Sequence, residues 1–244
     1  MKQLKLLAAL FAFGVALSGC DKETPRLPLS QSPASMQEDV HTLEYYQARA
    51  DEIVSVDLAV LAEMTEKIIH EKPDITEAEL REALFNNLRE LKKQVDAGKV
   101  PLAKVSGSTA LCSEELWLLL WNPWNVSPTK QASDDASNEA RRQWPKDQYQ
   151  TKADAFRHAF WNILLAKRIS LTWAEKYTNA HEACHQGNLD KAMDLHNNYV
   201  GRTIYKSYST KSESLLSSIV KNWLYKYVTR TSEMNTSSLV YIRR

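Results

Sequence analysis

The segment 152–168, KADAFRHAFWNILLAKR, is apolar almost all the way round. At about 100° per residue, Phe156, Phe160, Ile163 and Leu164 form one sector, extended by Ala155, Ala159 and Ala166, with Trp161 and Leu165 opposite. A helix with no polar face belongs in the middle of a bundle. Any fold of this chain must therefore wrap other elements around it. Asp154 and His158 oppose that placement, since both share the side that carries Trp161 and Leu165. A carboxylate and an imidazole buried alone cost several kcal/mol, so they must pair with each other or with a third group. Two readings stay open: a core hydrogen bond that fixes helix register, or a working site.

The rest of the chain supplies helices to do the wrapping. Val40, Leu43, Ala50, Ile53, Leu61, Met64 and Ile68 fall at steps that suit a long amphipathic helix, with Ser35 and Glu38 at capping-box spacing before it and Pro73 after it. Thr76 and Glu79 make a second capping box, followed by the stripe Leu80, Leu84, Leu88, Leu91 and Val95 up to Gly98. Together these predict a helical hairpin over 35–98. Beyond it the pattern predicts a short apolar helix over 116–121, stopped at Asn122-Pro123, and another near 134–144. Helices follow over about 151–168, 170–185, 189–208 and 213–229, and Leu239–Ile242 reads as a short strand. The expected fold is all-α: an N-terminal hairpin plus a C-terminal helical bundle over 110–244, with a short C-terminal strand. At 244 residues and 43% hydrophobic, the chain can bury a real core. Its 31 basic and 30 acidic side chains give no field that would recruit nucleic acid.

Residues 1–19 are expected to lie outside the fold. Lys2 and Lys5 precede an apolar run, Leu6 to Leu17, that is shorter than the ~20 residues of a membrane-spanning helix. Leu17-Ser18-Gly19-Cys20 resembles the bacterial lipoprotein cleavage box. That resemblance implies removal of a signal peptide, a diacylglycerol on the Cys20 thiol and an N-acyl (palmitate-type) chain on its amine. Two or three acyl chains anchor a protein stably to a bilayer. The Pro-rich stretch 20–34 then reads as a tether. Asp21 resembles the signal for inner-membrane retention, which implies the periplasmic face of that membrane, with the outer membrane as the alternative. In an oxidising compartment Cys112 and Cys184 read either as a disulfide or as two buried thiols.

Candidate chemistry clusters on three successive helices: Asp154, Arg157 and His158; His181 and Glu182; then Asp194, His196 and Asn197, with Gly201 and Arg202. Glu182 is expected on a solvated face, beside Glu175. His181-Glu182-Ala183-Cys184-His185 fits the H-E-x-x-H zinc pattern, but Gly187 ends the helix directly afterwards and no third-ligand spacing follows. A mid-helix glycine such as Gly201 costs ~1 kcal/mol against alanine, which points to a close approach there. Three His and several carboxylates suit a divalent metal, with His158, His181, His196 and Asp194 as ligands. They equally suit metal-free hydrolysis, with His158 and His196 as the catalytic pair, Asp154 orienting and Arg157 holding an anionic oxygen.

The runs Asp154-Ala155-Phe156-Arg157-His158-Ala159-Phe160-Trp161, Ala180-His181-Glu182 and Met193-Asp194-Leu195-His196-Asn197-Asn198, then Gly201-Arg202, resemble a bacterial domain of unknown function. That domain carries R-H-A-x-W, H-E and M-D-L-H-N-N-x-x-G-R motifs on consecutive helices, and occurs in secreted and surface-associated proteins, some built like toxins. The resemblance spans 151–208 and implies no particular reaction. Two functions remain: an envelope lipoprotein with an interaction or stress-related role and an envelope protein as partner, or a His/Asp-dependent hydrolase of an envelope component.

Overall fold

The computed structural model describes residues 42–106, 110–146, 148–184 and 187–243, which belong to one compact unit. The signal and tether, Cys20, the Ser35/Glu38 cap and His185 lie outside the described residues. The described chain is all-α. In order it comprises α1 (Leu43–Gln47), α2 (Leu58–Glu71), α3 (Glu77–Asp96), α4 (Leu102–Val105) and α5 (Ser113–Trp121). There follow α6 (Val126–Gln143), α7 (Lys152–Arg168), α8 (Leu171–Ala183), α9 (Asn188–Tyr208) and α10 (Glu213–Lys221), then strands β1 (Tyr225–Tyr227) and β2 (Leu239–Tyr241). Among the described residues no helix is long and apolar enough to cross a membrane.

Helix α7 takes the central position that its composition demands. Residues 153–156 and 158–166 are all buried, and α6, α8, α9, α10 and β2 pack around it. On α6 the facing stripe is Val126, Thr129, Ala132, Ala136 and Ala140, small residues that let two helices approach closely. The closest approach is to α9. A Cβ on Gly201 would stand 2.3 Å from the Ala159 carbonyl oxygen, inside any tolerable contact. Gly201 is therefore what allows α9 to lie against α7 backbone to backbone, and it brings the polar residues of both helices within reach of each other.

Four boundaries differ from the sequence pattern. The stripe from Val40 to Ile68 is not one helix: α1 and a 3-10 turn, Ala50–Glu52, are separated from α2 by an extended stretch. There Leu111 donates its N–H to the Val56 carbonyl, Asp57 donates to Val105, and Asp57 then caps α2 by accepting from Ala59 at 2.7 Å. Helix α6 begins at Val126, well before the expected start, because Pro128 falls in the first turn, where no intrahelical donor is needed. Helix α8 ends at Ala183. Helix α10 stops at Lys221, since Tyr225–Tyr227 pairs parallel to Leu239–Tyr241. Aromatic residues favour that pleated surface over another turn of helix.

Candidate functional site

Thr151 caps α7 by accepting from the Ala153 N–H, which places Asp154 in the first helical turn. One oxygen of Asp154, Oδ2, accepts the N–H of Gln150 at 2.7 Å. Gln150 holds that orientation with φ at 62°, a left-handed conformation rare for a side-chain-bearing residue. Its carbonyl is fixed in turn by the N–H groups of Ile242 and Arg243. The other oxygen, Oδ1, accepts from Arg157 Nη2 at 2.6 Å and lies 3.6 Å from His158 Nε2.

His158 is 2% exposed and stands between carboxylates from three helices. Its Nε2 is 3.2 Å from Asp194 Oδ1 on α9, and its Nδ1 faces Glu182 Oε1 on α8 at 3.5 Å. Arg157 Nη2 also reaches His158 Nε2, at 2.7 Å. A guanidinium can only donate, so Nε2 is the acceptor there. The ring proton then sits on Nδ1, on the side of Glu182, and the Nε2 lone pair accepts from Arg157, with oxygens of Asp154 and Asp194 close to the same nitrogen. One ligand atom each from Asp154, His158 and Asp194 lie within 4.8 Å of one another.

The supporting residues are buried and bonded in sequence. Asn198 donates to Glu182 Oε1 at 3.0 Å and accepts from Asn162 Nδ2 at 2.7 Å. Asn162 Oδ1 accepts from Arg202 Nη1 at 2.8 Å, and Arg202 donates to the Thr178 hydroxyl as well. Asn162 also donates to the His158 carbonyl, so both of its amide hydrogens and its carbonyl oxygen are engaged. Such a network rigidifies a core only when every member is satisfied. It holds Glu182 in place, 3.5 Å from the imidazole Nδ1.

Asp194 differs. Burial, reinforced by the negative charges of Glu182 and Asp154, pushes its carboxyl up to about 9. Its Oδ1 is buried with no hydrogen-bond partner among the described residues. Nearby, the Tyr149 hydroxyl donates to Asp190 Oδ2 at 2.5 Å; that bond, with burial, raises the phenol to about 12.

Asp154, Arg157, His158 and Asp194 thus come together, while His181 and His196 do not join them. Helical geometry explains both cases. Asp194 and His196 are two residues apart, about 200° around α9, so when one faces α7 the other faces away. His196 Nε2 donates to the Ser238 carbonyl at 2.8 Å, and the Asn197 amide pairs with both backbone groups of Val240. These two tie the C-terminal strand to α9. His181, one residue from Glu182, turns toward α5 and pairs through Nδ1 with Glu115 Oε1 at 2.8 Å. Burial works to raise the Glu115 carboxyl, but the His181 hydrogen bond and charge hold it below its ordinary value.

Glu182, expected in solvent, is 1% exposed. Its signal was the strip Ala174, Thr178, Glu182 at i, i+4 spacing, two small residues that mark a close helix contact. Cys112 and Cys184 are joined as a disulfide with Cα atoms 6.1 Å apart, linking the start of α5 to the end of α8.

Arg157 is partly exposed and forms the boundary between the buried centre and a cleft of about 700 Å³. Lys130, Trp161, Tyr177 and His181 also line this cleft. A second cavity, about 830 Å³ and lined by Trp117, Trp121 and Trp173, shares no residue with the centre.

Neither a curated protein nor a solved structure matches the chain. A family model does: residues 116–228, which include Asp154, Arg157, His158, Glu182 and Asp194, match the domain of unknown function DUF6973.

Proposed function

We propose that this chain is a lipoprotein anchored through Cys20 at the periplasmic face of the inner membrane, whose helical domain hydrolyses an anionic envelope component. The observation that carries the hydrolytic reading is the buried His158 ring, with Nε2 3.2 Å from Asp194 and 3.6 Å from Asp154 and with Nδ1 3.5 Å from Glu182, beside a cleft. An oriented imidazole lone pair next to carboxylates is what activation of water requires. In this reading a water sits among His158, Asp154 and Asp194 and gives one proton to His158 Nε2 once Arg157 has left it. Its oxygen bonds to the acyl carbon or phosphorus, and the departing oxygen takes the proton back. Arg157 leaves Nε2 to hold the anionic oxygen of the substrate, with Lys130 further along the cleft. Burial strengthens each of these interactions, since the centre is shielded from water.

The test uses the full chain purified in detergent and offered the lipid, glycan and peptide fractions of a bacterial envelope. Release of product, reduced at least 100-fold in His158→Ala with the far-UV circular dichroism unchanged, is the expected result. Turnover that survives this substitution rejects the assignment, as does a chain that cleaves none of the fractions. For the anchor, Cys20→Ala should move the protein from the membrane pellet to the soluble periplasmic fraction. Retention in the pellet rejects lipidation at Cys20.

A second reading has its own support. Arg157 already engages Asp154 and His158, and the Asn162–Asn198–Glu182 chain is saturated, as a polar core that only fixes helix register would be. In that case the anchored domain is a scaffold for an envelope protein partner. His158→Ala would then lower the Tm without any activity to lose.

A further inference from the structure

Arg157 Nη2 touches Asp154 Oδ1 and His158 Nε2 at once, so one guanidinium occupies the space between two strong ligand atoms. The third atom facing that space is Asp194 Oδ1, a buried oxygen on a side chain 12% exposed, and it has no hydrogen-bond partner among the described residues. Two of the three spacings match those of a metal tetrahedron, and the third lies within 4.8 Å. With bonds of about 2.0–2.1 Å to nitrogen and oxygen, the ligands of a tetrahedral zinc stand roughly 3.4 Å apart. His158 Nε2 is 3.2 Å from Asp194 Oδ1 and 3.6 Å from Asp154 Oδ1. Behind the imidazole, Glu182 takes the place of the carboxylate that orients a metal-bound histidine through its other nitrogen. Glu182 is itself held by Asn198, so the orientation is built into the core.

We propose that Asp154, His158 and Asp194 bind one divalent cation of the zinc or manganese class, and that its entry displaces the Arg157 guanidinium into the adjoining cleft. This rests on the reading of the same three residues as the hydrolytic centre, and it names how their water is held. One imidazole and two carboxylates are borderline-to-hard donors, which select these metals over soft ones. Three protein ligands leave a fourth position for water, the arrangement of catalytic rather than structural zinc. Arg157 stands in for the cation when no metal is bound. Once displaced it carries its charge to the side of the cleft, where an anionic substrate would meet it. Metal and substrate then favour the same position of one side chain.

The experiment is calorimetric titration of the chelator-treated full chain in detergent with Zn²⁺ and with Mn²⁺. One ion per chain is expected for at least one of them. Asp194→Asn, close to isosteric, should weaken binding 100-fold or more, and Glu182→Gln about 10–100-fold at the same stoichiometry. His196→Ala should leave affinity unchanged, because that ring serves Ser238. Arg157→Ala should tighten binding about 10-fold by removing the internal competitor, an effect no purely structural role would give. Absence of stoichiometric binding by a folded protein overturns the proposal. So does stoichiometric binding that is indifferent to Asp194→Asn, which would place the ion elsewhere. The two readings fail separately. Hydrolysis that persists in chelator without bound metal removes the cation and keeps the hydrolase, whereas bound metal with no turnover does the reverse.

Discussion

Around His158 three carboxyl groups and one guanidinium meet where water is nearly excluded, and burying so many charged groups together is costly. Asp194 shows this most clearly, since its buried carboxyl faces Glu182 and Asp154 and has only an imidazole and a shared guanidinium to offset them. Asp194→Asn should therefore stabilise the metal-free protein by about 0.5–2 kcal/mol, the usual gain when a functional residue is exchanged for a structurally favourable one. The amide keeps the shape and has no charge to bury beside Glu182 and Asp154. Thermal unfolding in chelator measures it, and an unchanged or lowered Tm would mean that Asp194 is there for packing. Part of this was legible in the sequence. Asp154 and His158 stand out because they interrupt an otherwise apolar helix, and Asp194 because it follows the buried Met193. Glu182 was legible as a candidate but not as a buried one, because its neighbours Glu175 and Lys176 make the segment look solvated until Ala174 and Thr178 are seen to form a separate strip. His181 and His196 misled for a related reason: residue type suggests ligands, while a one- or two-residue offset on a helix turns the ring toward a different neighbour.

At the level of elements the motif residues divide their labour. Arg157 and His158 serve the centre, Ala159 gives α9 its seat through Gly201, and Trp161 lies edge-on to Tyr177 and His181 on the cleft wall. On α9, Asp194 faces His158, His196 and Asn197 hold the C-terminal tail, Asn198 supports Glu182, and Arg202 secures Asn162. The existence of α7, α8 and α9 could be read from period and caps, because Thr151, Ser170 and Gly187 mark their starts in plain residues. The break between α1 and α2 could not. Ile53 and Leu61 keep the apolar spacing of a helix across it, and the long-range bonds from Leu111 to Val56 and from Asp57 to Val105 draw the stretch between them out into extended backbone. The early start of α6 was hidden for the opposite reason. Its buried stripe is mostly alanine, which adds little contrast to a run rich in Ser, Asp and Asn.

Across the whole molecule, the Cys112–Cys184 bridge closes a loop that contains α5 to α8 and so encloses the helix around which everything packs. A sequence separation of 72 makes that closure valuable, because the entropy removed from the unfolded chain grows with the logarithm of loop length. On the chain-entropy model the contribution is roughly 4 kcal/mol. For a protein of this size each kcal/mol is worth about 2–4 °C, so replacing both cysteines by serine should lower the Tm by roughly 10 °C. Reductant should do the same to the parent chain and nothing to the double variant. Function should follow stability only in part. Glu182 lies two residues before Cys184, and the bridge clamps that end of α8 to α5, beside the His181–Glu115 pair. Without the clamp the last turn of α8 can fray, and the carboxylate that orients His158 loses its fixed position. Metal affinity should then fall by less than the 10–100-fold of Glu182→Gln, since the Asn198 hydrogen bond still holds the same oxygen. A double variant that melts near the parent temperature would show that α5 and α8 are held by packing alone. One that melts early with undiminished affinity would show that Asn198 suffices to position Glu182.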